Sequence, residues 1–146
     1  MTALAADRAT PFRLGTDRAE GAAAASQLIY AGGIVARNAA GYLVKGATAT
    51  GLVGVGAAVD RCDNSTGAAG DQTVHYTRAT GRFANSASGD LITIADIGAV
   101  CFMVDDQTVA KTDGSSSRSP AGFVEAVDAL GVWVRFDEAL TRIAAA

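Results

Sequence analysis

Two adjacent aspartates, Asp105 and Asp106, are the residues of this chain that most readily suggest chemistry. A pair of carboxylates can share a proton or bind a metal ion when both side chains converge on one point. Here the pair directly follows an apolar run, and adjacent residues at a strand end point to opposite faces. The stretch also lacks the alternating oxygen ligands and the closing glutamate of an EF-hand loop. Because aspartate bonds nearby backbone N–H groups in turns, the sequence predicts a turn here and no metal site.

The single histidine, His75, lies in the middle of a predicted strand beside Tyr76. A hydrolase triad would need a nucleophile in a recognisable setting, such as a Gly-x-Ser-x-Gly turn, and the sequence has none. We therefore interpret His75 as a half-exposed histidine that faces a neighbouring strand, and we expect no catalytic base.

A glycine-rich stretch, GLVGVG at 51–56, superficially resembles a phosphate-binding loop. A Walker A loop ends in Gly-Lys-Ser/Thr, and a dinucleotide fingerprint has three glycines that open a helix. In this chain the glycines alternate with branched residues, as in a strand. Glycine inside a strand is typical of close approach by a neighbouring backbone. We therefore expect a tightly packed strand and no nucleotide or other cofactor.

Cys62 and Cys101 are far apart in the sequence and show no metal-ligand spacing. We interpret them as free, half-buried thiols, with a disulfide as the alternative. The net charge is −3, and the arginines are scattered among acidic residues. Nucleic-acid binding would need lysines and arginines clustered on one face. These observations predict neither an enzyme nor a nucleic-acid-binding protein.

The first residues lack the features of a targeting signal. MTALAADRATPFRLG carries charge within its first residues and has no apolar core of about 7–15 residues. No stretch approaches the ~18 apolar residues of a membrane span. We therefore expect synthesis in a cytoplasm-like compartment and no membrane partner.

Residues 1–27 differ from the rest of the chain because they show no alternation and carry balanced charges. A segment without a core of its own is ordered only where something outside the domain binds it. The sequence therefore predicts an extended N-terminal arm over 1–27.

From Leu28 onward apolar residues recur with a period of two, which is typical of β-strands. Turn residues separate roughly eight to ten short strands. NAAG at 38–41 predicts one hairpin, the residues 79–81 predict another, and a single helical turn is expected near Thr93. The fold class is therefore all-β, a small β-barrel or sandwich-like domain of short antiparallel strands over 28–136, with a C-terminal tail at 137–146.

Small residues make up much of the apolar content. Hydrophobic residues account for 49% of the chain, but aromatic residues account for only 6%, and 17 residues are glycine. Small side chains bury little area each, so the core of a monomer would be modest. This composition favours an oligomer or a bound partner as part of the stabilisation.

The predicted strand GVWVRF at 131–136 has two different faces. Trp133 and Arg135 lie on one face, and three apolar residues lie on the other: Val132, Val134 and Phe136. Trp133 and Arg135 are either an exposed stacked pair beside the core or an interface anchor, because both residue types are enriched at binding hot spots. The sequence leaves both interpretations open.

Taken together, these stretches resemble a family of tailed-phage head proteins, the small capsid cement or decoration proteins. The resemblance covers about residues 8–136, and its most specific part is the series ADIG, DDQTVAKTDG, SPAG and GVWV between residues 95 and 134. It implies a β-barrel-like domain on the outer surface of a phage head, made in the cytoplasm of the bacterial host. It also implies binding to the major capsid protein, bridging of neighbouring capsomers, and self-association as a homotrimer or, alternatively, a homodimer.

The arm is the predicted capsid-binding segment, because its apolar residues stand between arginines and suit an extended strand added to a sheet edge. The candidate capsid-binding residues are Thr10, Pro11, Phe12, Arg13, Leu14 and Arg18. A carbohydrate- or host-surface-binding module displayed on the virion is the alternative function. That function would require exposed aromatic side chains on one sheet.

Overall fold

The computed structural model describes Ala3, residues 5–9, Gly15 and residues 17–145. About 40% of the chain is in strands and 10% in helices, so the predicted all-β fold class is confirmed. The elements within the described residues are β1 (Arg18–Ala22), β2 (Gln27–Ile29), β3 (Ile34–Arg37), β4 (Leu43–Lys45), β5 (Val53–Ala58), β6 (Cys62–Asn64), β7 (Thr73–Thr77), β8 (Gly81–Phe83), 3₁₀ turns at Ser88–Asp90 and Ile94–Asp96, β9 (Val100–Met103), β10 (Val109–Ala110), β11 (Pro120–Asp128), β12 (Gly131–Arg135) and α1 (Glu138–Ala144).

Two five-stranded antiparallel sheets form the body of the domain. The strand order is β1-β7-β5-β3-β4 in the first sheet and β10-β9-β11-β12-β8 in the second. In each sheet a single parallel bridge joins the two edges, between Ala23 and Leu43 in the first and between Ala84 and Thr108 in the second. Each sheet therefore curls on itself into a small barrel whose two edges meet at one bridge.

Each barrel has its own apolar core, and β3 contributes to both. Val35 packs in the core of the first barrel, whereas Ile34 and Ala36 pack in the core of the second. This division follows from the alternation of side chains along a strand. A two-stranded ribbon of β2 and β6 adds Ile29 and Cys62 to the first core. Since one strand serves both cores, the two barrels form one domain.

Strand β5 lies against neighbouring backbones on both sides, as the glycine pattern predicted. A Cβ atom on Gly54 would lie 2.8 Å from Ala121 Cα in β11, and closer still to the Ala121 carbonyl. A Cβ on Gly56 would lie 3.0 Å from the Thr77 carbonyl carbon in β7. Only glycine permits this spacing without a shift of the backbone, so the prediction of a closely packed strand is confirmed.

One predicted hairpin is confirmed and the other is wrong. Residues 38–41 form the turn between β3 and β4, with the Gly41 N–H donating to Asn38 O at 3.0 Å. No hairpin passes through 79–81, because β7 and β8 belong to different sheets. Strand β8 instead pairs with β12, and the Phe83 ring packs edge-to-face on Phe136 at 5.9 Å between centroids. Burial of Phe83 in the second core decides this pairing.

The predicted boundary of the N-terminal arm at residue 27 is wrong. Strand β1 pairs with β7 over five residues, from Arg18 opposite Thr77 to Ala22 opposite Thr73, and Ala23 is fully buried. The inward residues of this segment are so small that the alternation was not visible in the sequence. Gly21 is one of them, since a Cβ there would lie 2.8 Å from Leu43 Cδ1.

The segment 137–146, predicted as a tail, packs against the domain through α1. The Asp137 side chain caps the helix by accepting a hydrogen bond from the Leu140 N–H at 3.0 Å. Arg37 Nε donates to Glu138 Oε2 at 2.7 Å, and Thr141 is fully buried. The helical character of the tail is thus confirmed, and the helix is part of the β domain's surface. None of the helices in the described part of the chain is long and apolar enough to cross a membrane.

Candidate functional site

The carboxylates of Asp105 and Asp106 do not form a joint site. Asp105 Oδ1 accepts a hydrogen bond from the Gln107 N–H at 2.8 Å within the turn between β9 and β10. The Asp106 carbonyl accepts from the Ile34 N–H at 2.7 Å. The two residues thus shape a turn, as predicted. Among the described residues, no group of three or more His, Cys, Asp or Glu side chains could hold a metal ion.

His75 lies in a row of ionisable side chains that crosses three chain segments. Its Nε2 is 3.2 Å from Glu20 Oε2 on β1, and its Nδ1 is 3.7 Å from Asp60 Oδ1 after β5. The side chain is 51% exposed, so the expected half-exposed histidine facing a neighbouring strand is confirmed. The row lines an open cleft of about 600 Å³ that also includes Arg18. Among the described residues, no Ser, Thr or Cys lines this cleft, so its described lining offers a row of ionisable side chains without a nucleophile.

Both cysteines are free, and both are buried rather than half-buried. Burial raises the pKa of the Cys101 thiol to about 12. The reactive form of cysteine is the thiolate, so Cys101 is an inert core residue. The interpretation as free thiols is confirmed and the disulfide alternative is wrong.

Trp133 and Arg135 lie on the outward face of β12, opposite Val132 and Val134, which are fully buried. Trp133 Nε1 donates to Asp128 Oδ2 at 2.9 Å. This hydrogen bond is the main reason why the pKa of the Asp128 carboxyl lies below its ordinary value.

Each of the two outward residues has its own partner. The guanidinium over the Trp133 ring belongs to Arg82, at 5.4 Å from the ring centroid. Arg135 instead lies 4.0 Å from Asp137. Of the two interpretations that the sequence left open, the stacked pair of Trp133 and Arg135 is therefore wrong. A role of either residue in an interface stays a prediction.

The predicted capsid-binding residues fall into two groups. Arg18 is exposed at the start of β1, beside the His75 cleft. The other five lie outside the described residues: Thr10, Pro11, Phe12, Arg13 and Leu14. Whether these six residues form one site therefore stays a prediction.

Sequence reasoning missed a surface feature that we call the 88–97 ridge, formed by residues 88–97 between β8 and β9. Three large apolar side chains are exposed on it: Leu91 at 44%, Ile94 at 74% and Ile97 at 50%. Ile92 points inward and is 1% exposed. A cluster of exposed large apolar side chains is typical of an interaction site. The signal in the sequence was the run LITIADI, whose apolar residues do not alternate.

Polar contacts hold the ridge in one conformation. The Asn85 side chain donates to Ile92 O at 2.8 Å and accepts from Ile92 N at 3.0 Å. The Thr93 N–H donates to Asp96 Oδ2 at 2.8 Å in a capping box, and Lys111 Nζ lies 3.4 Å from Asp96 Oδ1. The backbone bond from Thr93 is the main cause that lowers the pKa of Asp96.

Asp90 holds the other end of the ridge. It accepts a hydrogen bond from the Thr112 hydroxyl and lies 3.2 Å from Arg118 Nη1. The Thr112 bond is the main cause that lowers the pKa of Asp90. With both ends tied to the loop that follows β10, the apolar side chains are presented by a preorganised segment, which reduces the entropy lost on binding.

In comparisons with known proteins, no family model, curated protein or solved structure matches this chain.

Proposed function

We propose that this chain is a structural virion protein that binds the outer surface of a tailed-phage head and cements neighbouring capsomers. The support from sequence is the resemblance to phage cement proteins over about residues 8–136. In this role the protein is not an enzyme and needs no cofactor. Its partners are the major capsid protein and further copies of the same chain.

The structural observation that carries the proposal is the 88–97 ridge. Leu91, Ile94 and Ile97 expose apolar surface on a segment that is fixed at both ends. Full burial of one such side chain contributes roughly 1.5–3 kcal/mol, so three of them suit a contact with a large protein surface. The capsid shell has a fixed geometry and the ridge has a fixed conformation. Little conformational entropy is therefore lost when the two bind.

Simultaneous binding at several sites would make the attachment of this protein to the head strong. Each single contact is small, but a homotrimer engages several sites on a repeating lattice at once, which can raise avidity by about 10²–10⁴. We place the trimer on threefold or quasi-threefold positions, with a dimer on twofold positions as the alternative. The N-terminal residues 1–16 add a second contact from each copy.

Cosedimentation with empty heads tests the proposal. Purified protein is mixed with heads assembled from the major capsid protein of the same phage, and bound protein is measured against concentration. We expect saturation at a fixed number of copies per head and an increase in the temperature at which heads rupture. Absence of cosedimentation at saturating protein would contradict the proposal. Imaging of the decorated particles distinguishes threefold from twofold density, and twofold density would replace the trimer with the dimer.

The alternative function, a carbohydrate- or host-surface-binding module, would use a platform of several aromatic rings. Among the described residues, Tyr30, at 52%, is the one exposed aromatic residue, and the other aromatic residues are buried or half-buried. The described surface therefore has no multi-ring platform for a long polysaccharide. This observation favours the capsid-binding role as the main function.

A further inference from the structure

Tyr30 borders an open cleft of about 520 Å³ where the two barrels meet, which we call the Tyr30 cleft. One wall is the turn 30–33 between β2 and β3, and the other is the Asp106–Gln107 part of the turn between β9 and β10. Lys45, at the end of β4, completes the lining. Small-molecule sites commonly lie between structural units and have volumes of about 300–1,000 Å³, so the cleft has a suitable place and size.

Tyr30 forms the aromatic wall of the cleft, and the Arg61 side chain lies over its ring. The Arg61 guanidinium lies 5.4 Å from the centroid of the Tyr30 ring, at a distance at which a cation is attracted to the ring face. The turn behind Tyr30 is closed by the Gly33 N–H, which donates to Tyr30 O at 3.2 Å. Gly32, in the same turn, has φ +83°, a conformation that favours glycine. Tyr30 is thus held at the rim of the cleft although it is half exposed.

The opposite wall carries polar groups that the domain itself does not use. Within the described part of the chain, no hydrogen bond or ion pair engages the Asp106 carboxylate, the Lys45 ammonium or the Gln107 amide. The backbone beneath them is fixed, because the Ile34 N–H donates to Asp106 O at 2.7 Å. At the base of the cleft the Asp106 side chain lies beside the Gly33 backbone, since a Cβ on Gly33 would lie 3.3 Å from Tyr30 O and 3.5 Å from Asp106 Oδ2.

We propose that the Tyr30 cleft binds a neutral sugar residue of a cell-surface or free oligosaccharide. The open face of an aromatic ring packs against the C–H face of a hexose, and a polar tip remains in water. Asp106 accepts hydrogen bonds from vicinal hydroxyls, while Lys45 and Gln107 donate to ring or hydroxyl oxygens. The charges of Lys45 and Asp106 balance, which favours a neutral sugar over an acidic one. This site is separate from the 88–97 ridge, so it does not depend on the head-binding role.

The test is an NMR titration of the purified full chain with three neutral probes, maltohexaose, cellohexaose and chitohexaose, and with one acidic probe, a polygalacturonate hexamer. We expect at least one neutral probe to shift the amide signals of residues 30–33 and 106–107, with a Kd of roughly 1 mM or tighter. Tyr30→Ala should weaken that binding by roughly tenfold. Tyr42→Ala, a partly exposed tyrosine in the turn between β3 and β4, is the control and should bind like the unmodified chain.

A second variant, Asp106→Ala, should weaken the same titration and leave the melting temperature within about 2 °C. No shift at residues 30–33 and 106–107 with any neutral probe overturns the proposal. Binding that Tyr30→Ala leaves unchanged, or that only the acidic probe shows, also overturns it.

Discussion

The Gly54 backbone in β5 lies directly against the Ala121 backbone in β11, so that a Cβ on Gly54 would be 2.8 Å from Ala121 Cα. This contact joins the first barrel to the second without any side chain between them. The chain therefore uses glycine here for proximity rather than for flexibility.

Gly54→Ala should destabilise the domain, because the new methyl group has no room and the two barrels must separate. We expect the free energy of unfolding to fall by about 1–3 kcal/mol, as for other overpacked cores. Chemical denaturation measures this change. Gly89→Ala is the matched control, since a Cβ at Gly89 meets nothing within 4 Å, and it should change stability by no more than about 0.5 kcal/mol. Equal effects of the two substitutions would contradict the role given to Gly54.

Ile94→Ser should weaken binding to empty heads while the fold stays intact. Ile94 is 74% exposed on the 88–97 ridge, so the free energy of unfolding should change by no more than about 0.5 kcal/mol. Loss of its buried apolar area at a capsid contact should lower the affinity about tenfold or more. Leu130→Ser is the control, because Leu130 is 73% exposed in the turn between β11 and β12. If both variants bind heads equally well, the ridge is not the contact.

Removal of residues 1–16 should leave the domain folded and reduce head binding. Strand β1 begins at Arg18, and the Asp17 carbonyl accepts from the Arg78 N–H at 2.6 Å, so the deletion spares the first barrel. We expect an unchanged melting temperature and a head affinity lower by roughly 100-fold, because each copy loses one of its contacts.

Deletion of residues 1–22 is the informative comparison. It removes β1 from β7 and should lower the melting temperature markedly. A 1–16 deletion that still saturates heads at the original concentration would show that the N-terminal residues are not an anchor.

The 88–97 ridge should loosen in acid. The Thr112 hydroxyl is the main cause that lowers the pKa of Asp90 from its ordinary value of 3.8. The ionised carboxylate therefore stabilises the fold fully above about pH 4, and this contribution is lost as the pH falls through the lower folded pKa. Comparison of the free energy of unfolding at about pH 7 and pH 3 should show a smaller difference in Asp90→Asn and in Thr112→Val than in the unmodified chain. An unchanged difference in both variants would contradict this account.

Local signals in the sequence predicted several elements correctly. The turn at 38–41 and the turn at Asp105 follow from side chains that bond their own nearby backbone. The 3₁₀ turn Ile94–Asp96 follows from Thr93, whose side chain accepts from the Ala95 N–H. In each case the cause and the structure lie within a few residues, so no knowledge of the rest of the chain was needed.

The predictions from the sequence failed where contacts between residues far apart in the chain decide the structure. Strand β1 was missed because its inward side chains are too small to show a period of two, and its order comes from pairing with β7, more than 50 residues away. The 88–97 ridge was read only as a turn. Its conformation depends on contacts of Asp90 with Thr112 and Arg118, and of Asp96 with Lys111.

The sequence by itself determined the all-β class, the close packing of β5 and the inward face of β12. The alternation of side chains along a strand and the lack of a side chain at glycine are both local properties of the backbone. Only the tertiary structure decided that each sheet closes into a barrel, through the bridges Ala23–Leu43 and Ala84–Thr108. The tertiary structure also decided which apolar side chains remain exposed to solvent. Both depend on which segments pack into the two cores. The cores are built from residues far apart in the chain, and no local pattern encodes their combined volume and shape.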